Sequence, residues 1–357
     1  MDETTFRILD TLARGLGTEL SIKALTEKIG ELYGSAYYVN IYKKLQQLAG
    51  EGIVSLTRTG NSLIVGLNFK EYIITDLLTE VEFGNKQALL KEHRELQMLF
   101  LELETYCRDL LFVRSIAIIK PYKNAKLNRG ELLFLIRAHG MSFYPDEKEA
   151  EALRTIILQL QAIHNMKIDF LLLTDVKFLD MLSSDEINPL KEMISDKIAF
   201  FNPQNFWTAI KVAAERNIPI RAEEKEVVPV KIPEQDLVYN LARFGYKEMG
   251  TQMPARGRDI CIEYIAAALI AQQDARRIEA VPVILAKNSV NFDILFFLSQ
   301  KYRLSERMLG LLKVLQEAIP RKDSEAIIRV MEVMKTKEIP ADRENILEKM
   351  RLYNAIR

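Results

Sequence analysis

Cysteine is nearly absent: the 357 residues hold two, Cys107 and Cys261, far apart and both in apolar helical contexts. Such a pair makes neither a disulfide framework nor a metal knuckle, and reads as two buried free thiols in a reducing cytosol. Histidine is equally sparse. His93, His139 and His164 are scattered without zinc-ligand spacing, so no metal is expected. No apolar segment follows Met1-Asp2-Glu3, and no uninterrupted apolar run is long enough to cross a bilayer. The expectation is a soluble, cytoplasmic protein with no membrane partner. Excess charge is missing too, since 49 lysines and arginines balance 49 aspartates and glutamates. With no global basic footprint, any nucleic-acid contact must come from a local patch. The length suffices for two or three domains.

What is present begins near the N-terminus. Gly60-Asn61-Ser62 separates the apolar runs Ile53-Val54-Ser55-Leu56 and Leu63-Ile64-Val65. Glycine and asparagine tolerate the positive φ that a tight hairpin needs. Upstream, Phe6, Leu9, Leu12 and Ala13 stripe a first helix that Gly15 and Gly17 end. Ser21 is positioned to cap a second helix whose Ile22, Leu25 and Ile29 face inward. After Gly34-Ser35, a third helix is predicted from about Ala36 to Ala49, with Val39, Tyr42, Leu45 and Leu48 or Ala49 on its inner face.

Three helices followed by a hairpin, over about Phe6 to Asn68, resemble the winged helix-turn-helix domains of archaeal and bacterial regulators. The resemblance implies that the third helix enters the major groove of double-stranded DNA. Tyr37, Tyr38, Asn40, Lys43, Lys44 and Gln47 would then be free to reach outward. Asn40 matches the donor and acceptor pair of adenine, Lys43 or Lys44 would reach guanine or phosphate, and Arg58 and Asn61 would ride on the wing. The competing reading makes the lysines an ordinary solvated face and the domain a protein-contact module.

Beyond the hairpin, a helical stretch from Tyr72 is expected to be interrupted at Gly84-Asn85. A long helix should then run from Lys86 to about Leu111, carrying either a dimer contact or packing against the next domain. Strand-like runs follow at 112–119, 131–136, 167–173 and 198–201, alternating with helices that include one over 147–164. Over about 111–220 the chain resembles a nucleotidyltransferase-like domain of the polymerase-beta superfold. Tyr122 matches that family's loop, and Asp169 takes the place of its third carboxylate. The rest departs. Two-metal phosphoryl transfer needs carboxylates at i and i+2 of a strand, but Glu131 is followed by Leu133. Lys120-Pro121 replaces the Gly-Ser whose backbone N–H groups approach the phosphates. The resemblance therefore implies an inactive centre, with Asp175 or Glu186 as the substitutes to test. Lys120, Lys123 and Lys126 remain possible phosphate contacts or a plain solvated loop.

The last third reads as helical. Pro254-Ala255-Arg256-Gly257-Arg258 resembles an AT-hook core, but Asp259 stands where a proline would complete it, and the segment reads better as the start of a helix. Arg276, Arg277 and Glu279 read as an ion-pair face. Phe296 and Phe297 read as core, with a subunit interface as the alternative.

The expected fold class is multi-domain α+β. A winged helix spans 1–69, a helical linker 70–110, a small mixed α/β nucleotidyltransferase-like sheet 111–222 and a helical bundle 233–357. The expected function is DNA binding by a homodimeric transcription regulator or DNA-organising factor without a cofactor, its nucleotidyltransferase-like domain serving as scaffold or ligand sensor. The rivals are a divergent metal-dependent nucleotidyltransferase using Glu131 and Asp169, and a non-enzymatic assembly factor.

Overall fold

The computed structural model describes residues 1–119, 129–220, 222, 227–247, 254 and 256–356. The chain is mixed α/β, predominantly helical, with two small sheets. The N-terminal elements run α1 (Glu3–Arg14), β1 (Leu20–Ser21), α2 (Ile22–Tyr33), α3 (Tyr38–Gly50), β2 (Val54–Thr59) and β3 (Ser62–Leu67). There follow α4 (Ile73–Glu92), α5 (Leu96–Arg108), β4 (Val113–Ile119), β5 (Arg129–Ile136), α6 (Glu147–His164) and β6 (Lys167–Thr174). Next come α7 (Asp175–Ser183), α8 (Pro189–Asp196), β7 (Lys197–Phe201), α9 (Pro203–Glu215) and α10 (Glu234–Arg243). The chain ends with α11 (Ile262–Ala271), α12 (Ala275–Ile278), α13 (Ala280–Lys287), α14 (Phe292–Lys301), α15 (Ser305–Ala318), α16 (Lys322–Val333) and α17 (Arg343–Leu352).

Two compact units interleave along the sequence. The first comprises Met1–Phe143, Thr174–Ser183 and Leu190–Lys225, the second Tyr144–Leu173, Ser184–Pro189 and Glu226–Arg357. The expected segments 1–69 and 70–110 lie in the first unit and 233–357 in the second, while 111–222 is divided between them.

In the first unit, capping residues set where the helices begin. The Asp2 carboxylate accepts the Thr5 N–H at 3.0 Å and starts α1, and the Ser21 hydroxyl accepts the Ala24 N–H at 3.2 Å and starts α2. The first sheet has the order β1-β3-β2 and is antiparallel throughout, with Leu20 opposite Val65 and Thr59 opposite Ser62. Only Gly60 and Asn61 connect β2 to β3. Gly60 adopts φ +59°, whereas Asn61 stays out of the left-handed region, so the turn uses glycine at its first central position. In the second sheet β4 runs antiparallel to β5 on one side and β7 on the other.

The helices after the hairpin differ from the expected pattern. Gly84-Asn85 does not interrupt a helix but lies inside the continuous α4; the chain breaks instead at His93-Arg94-Glu95, before α5. Gly84 is tolerated there because α1 comes close. A Cβ at this position would sit 2.6 Å from the Phe6 ring, so glycine admits the aromatic side chain. Beside it, the buried Asn85 amide donates to Asp10 of α1 at 2.7 Å.

Three residues before Asn85 on α4, Glu82 forms an ion pair with Lys197, the two side chains having 2% and 4% of their surfaces exposed. The second Glu82 oxygen accepts the Ala199 N–H at 2.8 Å, and the Lys197 ammonium lies 4.3 Å from the Trp207 ring centroid. This pair joins α4 to β7 and to the aromatic face of α9.

The second unit is built around α11, whose residues Ile262–Ile270 are all buried. Its Glu263 carboxylate accepts the Asn291 N–H at 2.8 Å at the start of α14, and Asn291 in turn caps that helix. Phe296 and Phe297 of α14 are buried, Phe296 meeting Phe170 edge-on at 5.4 Å. The core reading of this pair holds; it offers no apolar face for a second subunit.

The Glu82–Lys197 pair gives a direct test. Glu82→Ala leaves a buried ammonium without its counterion and should destabilise the protein by about 3–5 kcal/mol. Adding Lys197→Met should restore much of the loss, read as the denaturant midpoint of each variant. A double variant no more stable than the single one would refute this account.

Candidate functional site

The exposed side of α3 gathers most of the residues singled out in the sequence. Its inner face is Ile41, Leu45 and Leu48, all buried. That corrects the expected phase, because Val39 and Tyr42 point outward with 61% and 37% exposure. Leu45 and Leu48 belong to both spacings, so the choice rested on the first turn, where Ile41 fills the core. Tyr37, Tyr38, Asn40 and Lys43 are exposed as expected. Tyr38 and Tyr42 stack with ring centroids 6.1 Å apart, making an aromatic patch beside Val39.

Lys44 is not a free cation. Its ammonium lies 2.8 Å from Asp2 Oδ2 and donates to Gln47 at 3.1 Å, and only 19% of its side chain is exposed. The lysine's hydrogen bond, together with the Thr5 N–H, holds the Asp2 carboxyl well below the usual carboxylate range. Asp2 thus caps α1 and anchors α3 at once, a double role that sequence spacing did not signal.

On the hairpin, Arg58 and Asn61 are both exposed near the turn. Neither Lys43 nor Arg58 has an ion-pair partner among the described residues, in contrast to Arg7, Arg14, Lys23 and Lys44, which pair with Glu3, Asp10, Glu27 and Asp2. Residues 1–69 hold seven lysines and arginines against seven aspartates and glutamates. The segment is thus neutral as a whole, while the face formed by α3 and the hairpin has an aromatic centre and two cations without an ion-pair partner among the described residues.

Behind it lies a polar cluster. Asp10, 3% exposed, accepts hydrogen bonds from Arg14 at 2.8 Å, from Asn85 at 2.7 Å and from the Tyr33 hydroxyl. Burial works against its charge, but Arg14, Tyr33 and Asn85 together bring the Asp10 carboxyl below its ordinary range. The same burial and the neighbouring Asp10 charge push the Tyr33 hydroxyl far up.

The residues expected in the central segment are less concentrated. Lys120, Lys123 and Lys126, with Pro121 and Tyr122, lie outside the described residues. Glu131 is half-buried on β5 in the first unit, and Leu133, two residues on, is buried. Asp169 is fully buried on β6 in the second unit, with the Lys167 ammonium 3.6 Å away. Asp175 is engaged by the N–H groups of Ala138 and Val176, each at 3.0 Å, and Glu186 pairs with Arg243 at 2.9 Å. No group of three metal-ligating side chains occurs among the described residues.

The AT-hook-like segment is bound internally. Arg258 donates to Asp236 through its backbone at 3.0 Å and through Nε at 2.7 Å. Asp259 pairs with Arg243 at 3.3 Å and precedes α11 by three residues, rather than standing in its first turn. Arg277 meets Glu234 and Glu279 meets Lys349, both distant in sequence, while Arg276 of the expected ion-pair face has no ion pair among the described residues. Both cysteines are buried; burial raises the Cys107 thiol to about 12 and Cys261 well above its usual value.

The chain matches no protein-family model, no curated protein and no solved structure.

The Asp10 cluster predicts a pH dependence. A carboxyl lowered by folding contributes stability above the ordinary carboxylate range and loses it as pH falls through the folded value. Asp10→Asn should therefore be less stable than wild type at pH 7, and the gap should narrow as pH drops below about 4. Thermal midpoints of both proteins across that range check this; a gap that stays constant would contradict it.

Proposed function

We propose that the N-terminal segment is a winged helix that binds double-stranded DNA through α3 and the β2–β3 hairpin. The observation that carries this reading is the order of elements: three helices, a short β1 between the first two, and a β1-β3-β2 sheet whose hairpin tip is exposed. In that arrangement the outer face of α3 presents Tyr37, Tyr38, Asn40 and Lys43, and the hairpin presents Arg58 and Asn61. Asn40 would read adenine, and Lys43 and Arg58 would contact phosphate. The 111–222 segment is a nucleotidyltransferase-like domain without turnover, since the buried Leu133 stands where phosphoryl transfer needs a second carboxylate. It acts as scaffold or ligand sensor. The protein works as a cytoplasmic homodimer that regulates transcription or organises DNA, each copy engaging one half-site.

A second reading has its own support. The neutral charge of residues 1–69 and the outward-facing Val39 and Tyr42 suit a protein partner better than a phosphate backbone. Salt dependence separates the two. Anisotropy of labelled random duplex DNA should give binding that weakens with added salt. Lys43→Ala and Arg58→Ala should each reduce the slope of log affinity against log salt by about one. Lys44→Ala should leave the slope unchanged, its charge being held by Asp2. No binding at low salt removes the DNA reading and leaves protein docking. Metal-dependent NTP turnover that Glu131→Gln abolishes would overturn the non-catalytic assignment.

A further inference from the structure

A cavity of about 590 Å³ opens within the first unit, between the start of β4, the segment after β5, and the helices α7 and α9. Asp175, one of the two substitute carboxylates, lines it, whereas Glu131 does not. Val113 pairs with Ile136 and Ile118 with Leu132, so Arg114 and Arg137 share one end of the β4–β5 hairpin. Glu131 belongs to the other end. The volume falls in the range of small-molecule sites.

Its walls have two characters. Leu135, Met141, Phe143, Val176, Leu179 and Val212 supply apolar surface. Arg114, Arg137 and Arg216 also line it, and no hydrogen bond or ion pair holds any of these guanidinium groups among the described residues. Arg7 and Arg14 of the same unit, by contrast, pair with Glu3 and Asp10. The two carboxylates in the lining are already occupied. Asp180 pairs with Lys177 at 2.8 Å, and Asp175 accepts the Ala138 and Val176 N–H groups. Three unneutralised guanidiniums on a largely apolar hollow are complementary to a molecule with both properties.

We infer that this cavity binds a small amphipathic anion: an apolar body seated between α7 and α9, with a carboxylate or phosphate head held by Arg114, Arg137 and Arg216. The inference stands apart from the DNA-binding reading and survives its failure.

The test uses the full-length chain and two dyes with the same rings. 8-Anilinonaphthalene-1-sulfonate carries an anionic head, whereas N-phenyl-1-naphthylamine lacks it. The sulfonate should bind saturably at one site per chain and more tightly than the neutral dye. Arg137→Ala, a change at an exposed position, should weaken the sulfonate about tenfold and leave the neutral dye unaffected. Ala209→Trp, filling the cavity from α9, should abolish both; Val212→Trp serves if that variant does not fold, judged by circular dichroism. Octanoate should displace the sulfonate, and inorganic phosphate at equal concentration should not. Equal binding of the two dyes, binding that persists in a folded cavity-filled variant, insensitivity to Arg137→Ala, or displacement by phosphate alone would each overturn the proposal.

Discussion

The ion pair between Glu82 and Lys197 is the joint around which the first unit is assembled. Two charges withdrawn from water are costly, and the cost is offset only when every polar atom finds a partner. Here the geometry supplies them: one carboxylate oxygen takes the ammonium, the other takes the Ala199 N–H, and the cation rests on Trp207 and Phe206. A helix face could slide along a sheet if held by apolar contact alone. A buried pair with a fixed backbone bond permits one register of α4 against β7. Once that register is set, α4 presents Gly84 to Phe6 and Asn85 to Asp10, which fixes α1 as well. The N-terminal helices and the second sheet are thus tied through one helix.

Helix α9 makes the second such connection. Lys211 donates to the backbone oxygens of Phe69 and Lys70, just past β3, while Asn205 donates to the Arg114 oxygen at 2.9 Å. The same helix turns Thr208, Ala209 and Val212 toward the cavity. Occupation of the cavity would therefore load a helix that also holds the end of the hairpin segment. A ligand alters the hairpin only through a difference in affinity between two positions of α9, so this linkage needs two arrangements to act on.

Much of this architecture was legible before any coordinates. The two-residue turn after Thr59, the Ser21 cap and the extent of α6 follow from local chemistry, and each formed where the residues placed it. The misreadings arose where local chemistry is ambiguous and a distant contact decides. Val39 and Ile41 are equally apolar, and only packing against the rest of the N-terminal helices selects Ile41. Gly84 weakens a helix taken alone, yet the Phe6 ring requires it, while the true break at His93 carries no glycine or proline. The short α8 was missed altogether. Among the site residues, Tyr37, Tyr38, Asn40 and Lys43 were legible as a surface, but the capture of Lys44 by Asp2 was not, since it joins residues far apart in the chain. The arginine-lined cavity left only a faint trace: Arg114 is a charged residue in a largely apolar strand, an exception that alone does not distinguish a ligand contact from an exposed edge.

The charge arrangement on α3 bears on what the domain recognises. A protein that relies on phosphate contacts for affinity gathers unpaired cations, because each counterion released strengthens binding. Here most basic side chains of residues 1–69 are already matched by carboxylates, and Lys43 and Arg58 remain. Two such contacts per copy give little non-specific attraction, so DNA occupancy would depend on base-edge contacts from Asn40 and on pairing two copies. The Tyr38–Tyr42 stack and the outward-facing Val39 belong to the same surface, and a partner, DNA or protein, would meet this apolar patch along with the two cations. If the proposed DNA contact forms, weak electrostatics with an aromatic centre would favour selection by shape over charge, and affinity would vary less with salt than for a strongly basic DNA-binding face.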